Sequence, residues 1–126
     1  LAGADAVEDE MTDCVFCRIA AGEIPATIVG QSATAVAFRD LNPQAPTHVL
    51  VIPRHHLTSA AHAGHGTEAA VTMGEVMRLG IEVAAELGLA EAGYRFVINT
   101  GREGGQTVGH LHLHVLGGRQ MTWPPG

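Results

Sequence analysis

Three histidines alternate with aliphatic residues late in the chain: His110, Leu111, His112, Leu113, His114 and Val115. Successive side chains of a β-strand point to opposite faces, so the run predicts a strand over His110–Leu116 with the imidazoles on one face and the aliphatic groups on the other. An unperturbed imidazole has a pKa of about 6.5, so at pH 7 it offers a nitrogen lone pair for nucleophilic attack, proton transfer or metal binding. His110 to His114 would span about 13 Å at ~3.3 Å per residue, too far for all three to ligate one ion. One nucleophile, with the others orienting it or binding charge, suits that geometry better. Just upstream, the glycines of Gly104-Gly105-Gln106-Thr107 allow backbone N–H groups to converge on an anion, and Thr107 adds a hydroxyl. That segment is either a phosphate cradle or a plain hairpin loop. Cys14 and Cys17 have the spacing of half a zinc site, or are two reduced thiols on a short helix.

The elements that must position these groups follow from local pattern. Cys14–Ala21 predicts a short helix ended by Gly22. Thr27–Gly30 and Ala35–Phe38 flank a polar Gln31-Ser32 turn and predict a hairpin. Asp40–Pro46 holds Pro43 and Pro46 and predicts a loop, in which Asp40 either caps a turn or binds a ligand. His48–Ile52 predicts a buried strand stopped by Pro53, and Arg54–Gly66 a polar connector. Thr67–Leu87 predicts one long helix capped by Thr67, with Glu68 in its first turn and Gly88 ending it. Met73, Val76, Met77, Gly80, Val83, Ala84 and Leu87 form the stripe expected to face a sheet. Tyr94–Asn99 predicts a strand and Thr100–Gly109 a Gly-rich loop. Several strands with one main helix indicate an α+β domain with a largely antiparallel sheet.

A length of 126 residues fits one domain, and 46% hydrophobic residues supply a core. A net charge of −6, with scattered Lys and Arg, argues against a nucleic-acid-binding surface. No run of ~18 apolar residues is present, so no membrane span is expected. Residues 1–12 have neither the basic region nor the apolar region of a signal peptide and are expected to be a disordered leader or an expression remnant, with Met11 a candidate natural start. The expected location is the cytoplasm.

The segment His110-Leu111-His112-Leu113-His114-Val115-Leu116 resembles the His-x-His-x-His-x-x signature of the histidine-triad (HIT) superfamily. CVFCRI, DLNPQAPTHVLVIPRHH, YRFVINTGREGGQTVGHLHLHVLGGRQ and the terminal WPPG resemble its histidine-triad nucleotide-binding (Hint) branch, covering nearly the whole chain from Cys14 to Gly126. The resemblance implies a HIT-like fold over 13–126, with a five-stranded sheet, one long and one short helix, and a C-terminal tail 119–126. It implies a homodimer whose sheet continues across the subunits and whose tail reaches the neighbouring site. It also implies a purine nucleoside phosphoramidase releasing AMP or GMP, with His112 as the nucleophile and His114 at the phosphate.

By the same resemblance, His110 and His48 belong to the supporting histidine network, Asp40 accepts the ribose hydroxyls and Asn99 binds near phosphate and ribose. Leu41, Gly105, Gln106 and Thr107 join the nucleotide contacts, although Thr107 stands where relatives often carry Ser. Phe16, Ile19, Ile24, Phe38, Leu41 and Val51 are the expected walls of the base pocket. Zinc-containing members imply His56 and His110 as partners of Cys14 and Cys17 in a structural zinc site, whereas other members are metal-free. No cofactor is expected in the chemistry itself. A dinucleoside polyphosphate hydrolase and a non-catalytic nucleotide- or zinc-binding protein are the alternative readings.

Overall fold

The computed structural model describes residues 13–126, and the expected leader over 1–12 lies outside them. The chain forms helix α1 (Val15–Ala20), strands β1 (Ile28–Gln31), β2 (Ala35–Arg39) and β3 (Thr47–Pro53), a 3-10 turn (Ala60–Ala63), helix α2 (Thr67–Glu86), and strands β4 (Tyr94–Val97) and β5 (Leu113–Gly117). The strands make one five-stranded sheet in the order β1-β2-β3-β5-β4. Every neighbouring pair is antiparallel. This is the α+β architecture expected from the sequence. Among the described residues, no helix is long and apolar enough to cross a membrane.

Strand parity divides the molecule into two halves. Ala35 and Ala37 of β2, Val49 and Val51 of β3, and Leu113 and Val115 of β5 join one core cluster with Val76, Leu79, Val83 and Ala84 of α2. Val36 and Phe38, with Leu50 and Ile52, face the other way and pack with Cys14 and Phe16 at α1. One sheet face is therefore sealed by the long helix, and each fully buried Val or Leu there contributes roughly 1.5–3 kcal/mol. The opposite face is left for α1 and the functional groups. Gly80 allows α2 to approach β5 and β4 closely: a Cβ there would lie 3.0 Å from Leu113 Cδ2 and 3.0 Å from Phe96 Cζ.

Three expectations change. The buried face of α2 is Thr72, Val76, Leu79, Gly80, Val83 and Ala84, so the stripe is rotated from the one expected and Met77 is exposed. The N-cap of α2 is Gly66, and Thr67 is already helical. Gly88 does close the helix, at φ 78°, with its N–H on Ala85 and that of Leu89 on Ala84. The histidine strand starts at Leu113 rather than at His110. There the ladder gives way to other partners: the Pro53 carbonyl accepts the His110 ring, and the Leu111 amide bonds to Leu57.

Candidate active site and metal centre

The histidines separate into two neighbouring centres. His112 and His114 line a cavity of about 670 Å³ together with Phe16, Ile19, Ile24, Phe38, Asp40, Leu41, His48, Leu50, Asn99, Gly105 and Thr107. That volume is in the range of small-molecule sites. His110 is fully buried behind them, with Cys14, Cys17 and His56. The β3–β5 register explains the meeting of His48 with His114: Leu50 is paired to His114 and His48 to Leu116, so the two histidines are diagonal neighbours on one face.

Hydrogen bonds to backbone groups define where each imidazole holds its proton. His112 Nδ1 lies 2.8 Å from the His110 carbonyl, which can only accept. Nδ1 therefore carries the proton, and the Nε2 lone pair is left for the cavity. The Gln44 amide donates to His48 Nδ1 at 3.0 Å, so neutral His48 carries its proton on Nε2. That proton is directed at His114 Nδ1, 2.8 Å away, which places the His114 proton on Nε2. His114 Nε2 is buried and has no hydrogen-bond partner among the described residues. A buried donor in this state favours an acceptor brought by a ligand.

Burial pushes the His114 pKa down to about 4, reinforced by His112 and His48 and opposed by Asp40. Burial also lowers that of His48, opposed by Asp40. Both are neutral at pH 7. Asp40 serves two purposes: its Oδ1 accepts the Asn42 amide at 2.8 Å, capping the turn, and its Oδ2 stands 3.4 Å from His48 Nε2.

Phe16 packs edge-on against both Phe38 and His112, with ring centroids 5.4 and 5.3 Å apart. It thus joins the apolar wall to the candidate nucleophile. Val51 does not join that wall, because it lies on the α2 face of β3. Leu50 takes the place expected of it, as the parity of His48 already required. Leu41 lines the cavity while remaining 98% exposed, which puts it at the mouth. Gln106 stands outside. Its side chain accepts the Gly101 amide and donates to the Thr58 and Val108 carbonyls, so it braces the loop that presents Gly105 and Thr107. In that loop a Cβ on Gly104 would fall 2.4 Å from the Thr100 carbonyl oxygen, and Gly105 has φ +79°. Both positions thus require glycine. The Gln44 amide and Val108 were missed from sequence. The first is a backbone group, for which residue type carries no signal.

Behind the cavity, one donor atom from each of Cys14, Cys17, His56 and His110 lies within 4.8 Å of the others. His110 Nδ1 is 3.3 Å from Cys14 Sγ and 3.4 Å from Cys17 Sγ, and His56 Nδ1 is 3.3 Å from Cys17 Sγ. Tetrahedral zinc, with Zn–S of about 2.3 Å and Zn–N of about 2.0–2.1 Å, sets adjacent S and N about 3.5 Å apart. The donors fit. His110 gives its Nε2 proton to the Pro53 carbonyl at 2.9 Å, which leaves Nδ1 as a lone-pair donor and supplies the outer-shell contact typical of ligating histidines. Desolvation, with the neighbouring Cys14, pushes the Cys17 thiol up to about 12, and a divalent cation is the kind of charge that reverses this. Asp40, His48 and His114 also lie within 4.8 Å of one another. The Gln44 amide, however, requires a lone pair on His48 Nδ1 and so a proton on Nε2. That trio is wired for protons rather than for a metal.

Burial holds His110 down to about 4, opposed by the Pro53 contact. Its unfolded value is near 6.5, so the unfolded chain binds the proton first as pH falls. Stability is fully present above pH 6.5 and is lost as pH falls toward 4, with about 3 kcal/mol from His110 in the metal-free protein. His114 adds a smaller loss of the same sign. Denaturant titrations of chelated protein at pH 7 and pH 4 measure this, and equal stabilities would contradict it.

The HIT domain family matches residues 21–121. The chain belongs to the HIT family. A 14 kDa zinc-binding protein of Zea mays is 47% identical over 114 residues, covering 89% of this chain and 87% of that one. A HIT family hydrolase of Legionella pneumophila superposes with a TM-score of 0.84 at 48% identity, covering 90% of this chain and 99% of the other. A Zn-bound histidine triad family protein of Mycobacterium smegmatis gives 0.70 at 32%, covering 86% and 76%. The HIT relationship thus places this chain beside hydrolases and beside zinc-binding proteins.

Proposed function

We propose that this HIT protein hydrolyses the P–N bond of purine nucleoside 5′-phosphoramidates through a nucleotidyl-His112 intermediate, releasing AMP or GMP. The observation that carries this reading is the His112 Nδ1 contact to the His110 carbonyl, which presents Nε2 as a nucleophile to the cavity. Nε2 attacks the α-phosphorus and the P–N bond breaks. The departing amine takes the His114 Nε2 proton. Water then adds to phosphorus as its proton passes to His114 Nε2, and the phosphorus–His112 bond breaks, which restores both neutral rings. Asn99, Gly105 and Thr107 contact the phosphate and ribose, and Leu41 closes the mouth over the nucleotide.

Purified protein incubated with adenosine 5′-monophosphoramidate should release AMP and ammonia. Faster turnover of a diadenosine polyphosphate would move the reading to dinucleotide hydrolysis. AMP binding with no turnover of either substrate would leave a nucleotide-binding protein. Asp40→Ala should weaken ribonucleotide binding by roughly 10- to 100-fold, the value of one or two charge-assisted hydrogen bonds. Calorimetry with AMP and its dideoxy counterpart reads this, and equal losses for the two would remove the ribose role.

The chain is proposed to work as a homodimer with zinc on Cys14, Cys17, His56 and His110. The support for a dimer is the open β4 sheet edge together with the exposed Val71, Met77 and Ile81 of α2. Arg95 of β4 donates to the Thr122 carbonyl at 3.0 Å and lies 6.0 Å from the Trp123 ring, so the tail is tied to that same edge. Trp123 is 80% exposed in the single chain, as a residue awaiting a second subunit would be. Sedimentation equilibrium should give twice 13.1 kDa, and a monomer at micromolar concentration would refute it. Thiolate ligands would require reduced cysteines, which the cytoplasm maintains, and this supports a proposed cytoplasmic location.

A further inference from the structure

His48 of the His48–His114 pair accepts one backbone amide on Nδ1, that of Gln44, and the segment after β5 contacts the carbonyl of the same residue. Asp40–Pro46 contains Pro43 and Pro46, which have no N–H to donate, so the loop has few bonds of its own. Asp40 Oδ1 holds the Asn42 amide at 2.8 Å, and Gln44 Nε2 donates to the Asn42 carbonyl at 3.0 Å. Beyond the bonds to His48, the loop is held from the segment after β5 by Arg119. Its Nε and Nη2 donate to the Gln44 carbonyl at 3.2 and 3.1 Å. Its Nη1 donates to the Gln120 carbonyl at 3.2 Å, which steadies the fork. Gly118 brings the chain close enough for this, since a Cβ there would lie 2.9 Å from Pro46 Cβ.

We propose that Arg119 is a positioning residue: by gripping the Gln44 carbonyl it keeps the Gln44 amide on His48 Nδ1, and so keeps the proton of the His48–His114 pair directed toward the cavity. Two neutral tautomers of His48 compete. With the proton on Nε2, Nδ1 accepts from Gln44 and Nε2 donates to His114, so both contacts are made. With the proton on Nδ1, that N–H would face the Gln44 N–H, and His48 Nε2 would become an acceptor for a proton on His114 Nδ1. His114 Nε2 would then meet the cavity with a lone pair instead of a donor. The two states therefore differ in what the cavity presents to a ligand. Arg119 selects between them without touching the cavity, and a point charge at that position would hold the planar carbonyl less rigidly than the guanidinium fork. Because Arg119 begins the proposed tail, movement of the tail would be felt at His48.

The proton placement stands on geometry alone, whereas its effect on turnover rests on the phosphoramidase reading. The test uses full-length protein with 15N-labelled histidine, comparing wild type, Arg119→Met and Arg119→Lys. Arg119 is exposed and absent from both core clusters, so the variants fold. Nitrogen shifts and one-bond couplings should show His48 of wild type as the Nε2–H tautomer and that of Arg119→Met as a mixture, with faster hydrogen exchange at the Gln44 amide. Turnover of adenosine 5′-monophosphoramidate by Arg119→Met should fall roughly fivefold, the effect of one ordinary hydrogen bond, with KM nearly unchanged. Arg119→Lys should recover part of both signals. A His48 tautomer and Gln44 exchange rate unaltered in Arg119→Met would overturn the proposal. Tautomer mixing in a protein whose wild type hydrolyses no phosphoramidate would uphold the positioning role and defeat the function reading instead.

Discussion

His112→Ala should reduce turnover of adenosine 5′-monophosphoramidate by on the order of 10⁴-fold or more, the scale of losing a catalytic nucleophile, while AMP still binds. No other described side chain is arranged to replace it. His114 has its Nδ1 occupied by His48, and its Nε2 carries a proton. His110 directs its free nitrogen at the thiols and its other nitrogen at Pro53. The apolar wall of Phe16, Phe38 and Leu50 and the polar groups Asp40 and Asn99 survive the substitution, so the pocket remains. His112 is nearly buried against Phe16, and truncation there leaves a void, so His112→Asn serves as a companion that better fills the space. Rapid-quench kinetics and phosphorus NMR of the trapped nucleotidyl-enzyme provide the measurement. A variant within tenfold of wild type would exclude the covalent route through this residue.

Zinc should raise the stability of chelator-treated protein by about 4 kcal/mol when free metal stands about a thousandfold above its dissociation constant. For a domain of this size that is an increase of more than about 10 °C in Tm. The effect is large because three segments meet at the donors: α1 with its N-cap Cys14 and Cys17 within it, the connector after β3 with His56, and the stretch before β5 with His110. The Cys17 amide also donates to Cys14 Sγ at 3.3 Å, a contact that grows stronger when the sulfur is a thiolate. Metal binding here would fasten His110, whose carbonyl holds the His112 proton, and so would steady the proposed nucleophile. Differential scanning calorimetry of wild type and Cys17→Ser, with and without zinc, decides the matter. Cys17→Ser should lose most of the shift, and an unchanged wild-type Tm would remove the metal from this account.

Much of the site was legible before the fold. Alternation of His112 and His114 with Leu113 and Val115 required opposite faces, and the sheet puts the cavity on one and α2 on the other. Pro43 and Pro46 required a loop, Gly88 a helix end, and Cys14-x2-Cys17 a pair of convergent sulfurs. Errors arose where two local patterns were nearly equivalent. Met77 and Leu79 both suit a helical stripe, and only docking on the sheet decided that Leu79 is buried. Val51 and Leu50 are both aliphatic, and only strand parity distinguishes the core from the pocket wall. The strand began at Leu113 because the ring of His110 and the amide of Leu111 found partners outside the ladder.

The sequence by itself determined which side chains share a face, because alternation along a strand is a property of the backbone. The His112 proton is held locally, by the carbonyl two residues back, but tertiary structure decided which nitrogen of His48, His110 and His114 carries one. That choice is made by the Pro53 carbonyl, 57 residues from His110, by the His48–His114 contact across 66 residues, and by the Gln44 amide on a loop gripped by Arg119. Amides and carbonyls are present at nearly every position whatever the side chain. Their partners follow only from the course of the chain in space, and with them the division of four similar histidines into a proposed nucleophile, a proposed donor, its support and a candidate metal ligand.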